Sequence, residues 1–226
     1  MDSYTIHSRQ HELIAPRLRD SSILIYGAGM LGSWTSLALA RLAQHVEVWD
    51  GGDFVEDVNI GTQAYSDIDV GLPKGAALCN KMQGFNVSAV DRMFPPADRF
   101  SMVPTPHTYD VVVACADTMD ARGEGEAWAF RHTIPLFIDT RARGLEATII
   151  TVMFGEHDRY VAALPSDEDI EPIPCGQNGT AFVGMFVASR VASLLNIYFR
   201  EGNADTLPLR ESWNVERGIL IAAEHR

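Results

Sequence analysis

Two rhythms of apolar and polar positions alternate along the first two thirds of this chain. Residues 23–27, ILIYG, form a short apolar run that stops at glycine, and LGSWTSLALARLA then carries apolar residues at helical spacing. The pair predicts strand, tight turn and helix. HVEVWD alternates as a second strand ending on Asp50, which completes a β-α-β unit about 30 residues long. A loop runs on through Gly71, and PKGAALCNKMQGF opens a helix with proline at its first position. YDVVVACAD is a β-branched, buried strand ending on Asp117, ARGEGEAWAFRH is a helix, and IPLFIDTR is another strand. Strands alternating with helices predict an α/β fold, a Rossmann-like, mostly parallel sheet with helices on both faces.

After residue 144 the pattern changes. LEATIITVMFG and DRYVAALP read as antiparallel C-terminal strands added to the sheet, TAFVGMFVASRVASLLNIYFR as a long apolar helix, and ERGILIAA as a terminal strand. That helix includes Gly184, Ser189 and an internal arginine, so its apolar residues are assigned to core packing or a subunit contact and not to a membrane span. No repeat of useful length is visible, and residues 1–226 are expected to form a single domain.

Composition removes several function classes. A net charge of −12 disfavours nucleic acid and anionic membranes as partners. The N-terminus has no basic start followed by an apolar run, so a cytoplasmic protein is expected. Cys79, Cys115 and Cys175 are far apart and form no CxxC pair, which argues against a disulfide framework and against a closed cysteine zinc site. Cys115 lies inside an apolar strand and Cys79 on a helix, positions that suit packing. The histidines show no metal-ligand spacing.

The candidate chemistry begins at the first turn. Gly27, Gly29 and Gly32 satisfy G-x-G-x-x-G between a strand and a helix, where backbone N–H groups and the helix dipole favour a phosphate. Asp50, at the end of the next strand, is placed to accept hydrogen bonds from ribose hydroxyls. On these residues alone NAD, FAD and ATP are served equally.

The segment after Asp50 is more specific. GGDFVEDVNIGTQAY and DVGLPKGAA, read together, resemble the ThiF/MoeB/HesA superfamily, bacterial relatives of ubiquitin-activating enzymes. Asp53, Val55, Asn59 and Gln63 match that family's segment after the ribose acid, and Gly71, Pro73 and Lys74 match its G-x-P-K. ACADT matches its strand end, with Asp117 as the principal acid and Arg122 as the arginine that comes after it. Arg9 and Gln10 match an N-terminal arginine-glutamine pair, and Cys175 and Gly179 a downstream cysteine and glycine.

The resemblance implies an ATP-dependent adenylyltransferase that activates the C-terminal carboxylate of a ubiquitin-like or sulfur-carrier protein or peptide. It implies that Gly27, Gly29, Gly32, Asp50, Asn59, Gln63 and Lys74 bind ATP, with Lys74 on the β- and γ-phosphates. It further implies that Asp117 holds Mg²⁺, that Arg9 reaches the phosphates of the other subunit of a homodimer, and that Cys175 is a candidate covalent nucleophile. Arg9, Lys74, Asp117 and Cys175 are therefore the candidate catalytic residues. The chain departs from the pattern at Thr62, where the family has an arginine, and at Thr118, where it has an asparagine. Tyr160 and Ala163 stand where the first CxxC of the family's structural zinc site would lie, so no zinc is expected. The alternatives are a catalytically weakened relative that binds nucleotide or a ubiquitin-like partner, a nicotinamide oxidoreductase, and activation of a small-molecule or tRNA-borne carboxylate.

Overall fold

The computed structural model describes residue 10 and residues 12–91, 108–165 and 179–226. Its strands are β1 (Ser22–Tyr26), β2 (His45–Asp50), β3 (Val87–Asp91), β4 (Val111–Ala114), β5 (Leu136–Arg143), β6 (Glu146–Met153), β7 (Pro208–Asn214) and β8 (Ile219–His225). Its helices are α1 (Pro16–Arg19), α2 (Met30–Leu39), α3 (Lys74–Lys81), α4 (Met119–Arg131), α5 (His157–Ala162) and α6 (Ala181–Glu201). The strands make one eight-stranded sheet in the order β3-β2-β1-β4-β5-β6-β7-β8. From β3 to β5 every pairing is parallel, and from β5 to β8 every pairing is antiparallel. The expected Rossmann-like sheet with added antiparallel strands is therefore present.

Burial on both faces explains the unbroken apolar strands. Ile23 and Ile25 of β1 and Val111 and Val113 of β4 join a core with α2, α3 and α6. Their neighbours Leu24, Tyr26, Val112 and Ala114 point to the opposite face, against Trp128 of α4 and Tyr160 of α5. Helix α6 is long and apolar enough to cross a membrane. In this structure its residues Val183, Val187, Val191, Leu194 and Leu195 are buried in the core at helical spacing. The absence of a side chain at Gly184 brings α6 close to α2, since a Cβ there would lie 2.5 Å from the Trp34 ring.

DRYVAALP is not a strand. Its residues 158–162 lie in α5: the preceding strand β6 is already paired by β5 on one edge and by β7 on the other, so the segment cannot fold back on β6 as a hairpin. Tyr160 alone turns inward, while Val161 stays half exposed. Glu156 begins the turn by accepting the Met153 N–H at 2.9 Å.

Between α4, α5 and β5 lies a buried ionic knot. Asp139 is fully buried and pairs with Arg122, whose guanidinium also binds the carbonyl oxygens of Ala116 and Thr140. The second Asp139 oxygen receives Arg141 Nε at 2.7 Å and the Tyr160 hydroxyl at 2.9 Å. Taking away the shared acceptor would strand two guanidiniums in a low-dielectric setting. Asp139→Ala is expected to lose about 3–5 kcal/mol of stability, measured by urea denaturation; a loss below about 1 kcal/mol would contradict this role.

Candidate functional site

The strand order reverses between β1 and β4, where β1 takes β2 on one side and β4 on the other. In an open parallel sheet such a reversal leaves a crevice at the carboxyl ends of the strands. The glycine turn occupies that edge. Gly27 has a left-handed φ of +94° and donates its N–H to Trp49 O at 2.8 Å. A Cβ on Gly27 would lie 2.9 Å from Cys115 O, and a Cβ on Gly32 would lie 1.8 Å from Gly27 O. These two glycines are required by packing alone. Gly29, which precedes the first turn of α2, differs: nothing described lies within 4 Å of where its Cβ would be. It faces the open space in front of the helix N-terminus, where backbone amides favour an anion.

Asp50 closes the turn from β2. Its Oδ1 accepts the Ala28 N–H at 2.8 Å, while its buried Oδ2 has no hydrogen-bond partner among the described residues. Burial pushes the Asp50 pKa up, the Ala28 amide and the nearby Lys74 ammonium pull it back in part, and at Asp53 the carboxylate adds to the rise while the backbone amide opposes it more weakly. A buried acceptor without a donor costs free energy unless a ligand supplies one.

Lys74 begins α3 directly after Pro73 and is buried, with Nζ 3.1 Å from Asp53 Oδ2. Its partner side chain is 73% exposed, so the ion pair is one that solvent or a stronger anion can open. Lys74 N–H also bonds Asp53 O at 2.8 Å, which ties the start of α3 to the loop after β2.

That loop covers the turn. Asn59 Oδ1 accepts the Glu56 N–H at 3.0 Å, so this oxygen is occupied in holding a 3-10 turn. The Gln63 N–H donates to Asn59 O at 2.8 Å, whereas the buried Gln63 Oε1 has no partner among the described residues. Thr62 presents its carbonyl to Trp34 Nε1 at 3.0 Å. Three contacts that no sequence motif announces anchor this loop to the turn. Ser33 Oγ accepts the Ala64 N–H at 3.0 Å, Tyr65 OH donates to Ala28 O at 2.7 Å, and Trp34 makes the contact with Thr62. The aromatic and hydroxyl types at 33, 34 and 65 carry no motif of their own, which is why pattern reading passes over them.

Asp117 is exposed and lies just beyond the carboxyl end of β4, the strand beside β1. It does not cap α4: Thr118 Oγ1 does, accepting the Ala121 N–H at 3.2 Å. Arg122, by binding Ala116 O, fixes the backbone immediately before Asp117. Cys115 is buried, receives the Thr140 hydroxyl at 3.3 Å, and has its thiol pKa pushed to about 11 by burial. It is a packing group and not a nucleophile. Arg9 and Cys175 lie outside the described residues. Among the described residues no three His, Cys, Asp or Glu side chains converge as a metal site. A lone exposed carboxylate at a strand end still suits Mg²⁺, which commonly takes one or two protein carboxylates and completes its shell with phosphate and water.

The chain belongs to the ThiF family, whose model matches residues 7–210. No curated protein matches it in sequence. Among solved structures it is similar to PaaA, at 17% identity and a TM-score of 0.73 over 99% of this chain and 74% of that one. It is also similar to E. coli MccB solved with selenomethionine MccA, at 16% identity and a TM-score of 0.74 over 99% of this chain and 71% of that one. E. coli MccB solved with ATP gives 16% identity and a TM-score of 0.72 over 100% of this chain and 71% of that one. At these identities the likeness concerns the fold.

The two kinds of glycine separate experimentally. Gly29→Ala is expected to keep the wild-type melting temperature within about 1 °C and to weaken nucleotide binding at least about tenfold, since each 1.4 kcal/mol lost is tenfold. Gly32→Ala is expected to destabilise the fold itself. Calorimetric melting and nucleotide titration on both variants check this; equal effects would contradict it.

Asp50 gives a second test. Because its folded-state pKa is raised, the native state holds the proton more tightly than the unfolded chain, and stability falls as pH rises through that folded pKa. Ionising this carboxylate therefore costs the fold stability. Asp50→Asn, which keeps an acceptor for the Ala28 N–H, is expected to match or exceed the wild-type melting temperature at pH 7, with the advantage vanishing near pH 4. A drop of several degrees at pH 7 would contradict it.

Proposed function

We propose that this protein is an ATP-dependent adenylyltransferase acting on the C-terminal carboxylate of a peptide or of a ubiquitin-like or sulfur-carrier protein. The observation that carries the reading is the unsatisfied Oδ2 of Asp50 beside an open Gly29, an acceptor and a cradle matched to a ribose hydroxyl and a phosphate. Membership of the ThiF family supports it. So does MccB, described as a microcin C7 biosynthetic enzyme, which has been solved with ATP and with MccA.

In the proposed reaction a carboxylate oxygen attacks the α-phosphorus of ATP, the bond from that phosphorus to the β-bridging oxygen breaks, and pyrophosphate leaves with the bond's electron pair. The product is an acyl-adenylate. The amides from Gly29 onward, at the N-terminus of α2, hold phosphate oxygens, Asp50 Oδ2 orients the ribose, and Lys74 exchanges Asp53 for the β- and γ-phosphates as a point charge. Gln63 Oε1 is free to receive a donor from nucleotide or substrate. Mg²⁺, held at Asp117, would neutralise charge on the departing pyrophosphate. The family resemblance further supports a cytoplasmic homodimer in which Arg9 completes the partner's phosphate site, and a covalent role for Cys175.

One observation favours a second reading, a catalytically weakened relative that binds nucleotide. Thr62 replaces the loop arginine of the family, and its backbone is committed to Trp34. An arginine at a transferring phosphate is worth several powers of ten in rate.

Pyrophosphate exchange into ATP, with candidate glycine-tailed carriers and peptides supplied, decides between the readings. The adenylyltransferase is expected to exchange, and Lys74→Ala to lose about 10²-fold or more, the scale of removing one charge-stabilising donor. Tight ATP binding with no exchange for any carrier would favour the weakened relative, and no ATP binding would sink both.

A further inference from the structure

On the face of the sheet opposite α6, the antiparallel extension and α5 form a cavity of about 100 Å³ that is open to solvent. Its floor is apolar, with Ile150 and Val152 of β6 and Leu209 of β7. Three arginines from three elements line it: Arg141 of β5, Arg159 of α5 and Arg210 of β7. The register places Arg210 beside Ile150 and opposite Glu224 of β8, so all three share this face.

The charges do not cancel. Arg141 is committed to Asp139. Glu156, the first of the two lining carboxylates, is held by Arg226 at 3.0 and 3.1 Å. Glu224 is the other. Arg159 and Arg210 are exposed and have no carboxylate partner within ion-pair distance among the described residues. In a chain of net charge −12, a lining of three guanidiniums against two carboxylates, with Glu224 the cross-strand neighbour of Arg210, keeps one positive charge in excess over an apolar floor and so forms a local reversal of sign. Cavities of about 150 Å³ admit benzene, so this one has room for a single side chain. The complementary group is a carboxylate on a short aliphatic stem: methylenes against Ile150 and Leu209, oxygens on the planar donors of Arg159 and Arg210.

The cavity wall also connects to the candidate site. The hydroxyl of Tyr160 and the guanidinium of Arg141, both lining residues, share one oxygen of Asp139. The other oxygen holds Arg122, which grips the carbonyl before Asp117. One buried network thus spans from the cavity to the strand end that bears Asp117.

We propose that this cavity receives the acidic side chain of the peptide or carrier segment being adenylated, a specificity subsite that rests on the adenylation reading above. The test uses acetyl-Ala-Glu-Ala-amide, acetyl-Ala-Gln-Ala-amide and free glutarate, none of which presents a peptide C-terminal carboxylate, titrated calorimetrically into the full chain. The glutamate peptide is expected to bind saturably and at least tenfold more tightly than the glutamine peptide. Arg159→Gln and Arg210→Gln, both at exposed positions, should each reduce that affinity several-fold while melting temperature and ATP affinity stay at wild-type values. Equal binding of the two peptides, no binding, or indifference to both substitutions would overturn the subsite. Glutarate binding more tightly than the glutamate peptide would overturn its assignment to a peptide side chain. Failure of ATP to bind the unaltered protein would remove the adenylation reading, and the peptide comparison would still decide the cavity.

Discussion

A side chain at position 32 would collide with the carbonyl of Gly27, 1.8 Å from where its Cβ would stand, and this close approach governs how the chain leaves β1 and enters α2. With the turn drawn so tight, the Ala28 amide points back at Asp50 and the N-terminus of α2 points forward into the crevice. Everything proposed for the site depends on that geometry: amides in front, one carboxylate oxygen unpaired at the side, and a lysine anchored at the start of the next helix. The loop from Asn59 to Tyr65 lies over the turn because Ser33, Trp34 and Tyr65 fasten it there.

The site sits uneasily with stability. Asp50 is desolvated and half satisfied, Gln63 holds an unpaired oxygen, and Lys74 rests on an exposed partner. By contrast both carboxylate oxygens of Asp139 next door are paired, joining strand, helix and tyrosine, with Arg122 Nε the one guanidinium nitrogen of Arg122 left without a partner among the described residues. Among the described residues the two buried carboxylate or amide oxygens left without a donor, Asp50 Oδ2 and Gln63 Oε1, both lie at the crevice, where a ligand can supply the missing partner.

Much of the parallel half is readable in the sequence because its strands are buried on both faces and its helices obey a 3.6-residue period. Gly27 to Gly32, Asp50 and Lys74 are readable for the same reason: each ends or begins an element whose period is plain. The antiparallel half is less legible. PLRESWN forms β7 although it carries proline and two charges, since Glu211 and Arg210 project to opposite faces and only the register reveals it. VSAVD, β3, is too short and mixed to stand out. DRYVAALP reads as a strand and folds as a helix because one inward tyrosine in an alanine-containing segment imitates alternation, and the competition for ladder partners that excludes it from the sheet is a tertiary effect. The cavity lined by Arg141, Arg159 and Arg210 is invisible in the sequence for a related reason: its three arginines come from three elements that no sequence spacing connects.

The central claim, that the unpaired oxygen of Asp50 awaits a ribose hydroxyl, is tested most directly by a thermodynamic cycle. ATP and 2′,3′-dideoxy-ATP are titrated calorimetrically into the wild type and into Asp50→Asn. The account predicts that the wild type loses at least about tenfold in affinity when the hydroxyls are removed, the scale of a hydrogen bond to a charged group, and that the variant hardly distinguishes the two nucleotides. Equal affinity of the wild type for both nucleotides, or the same discrimination in protein with and without the carboxylate, would contradict it.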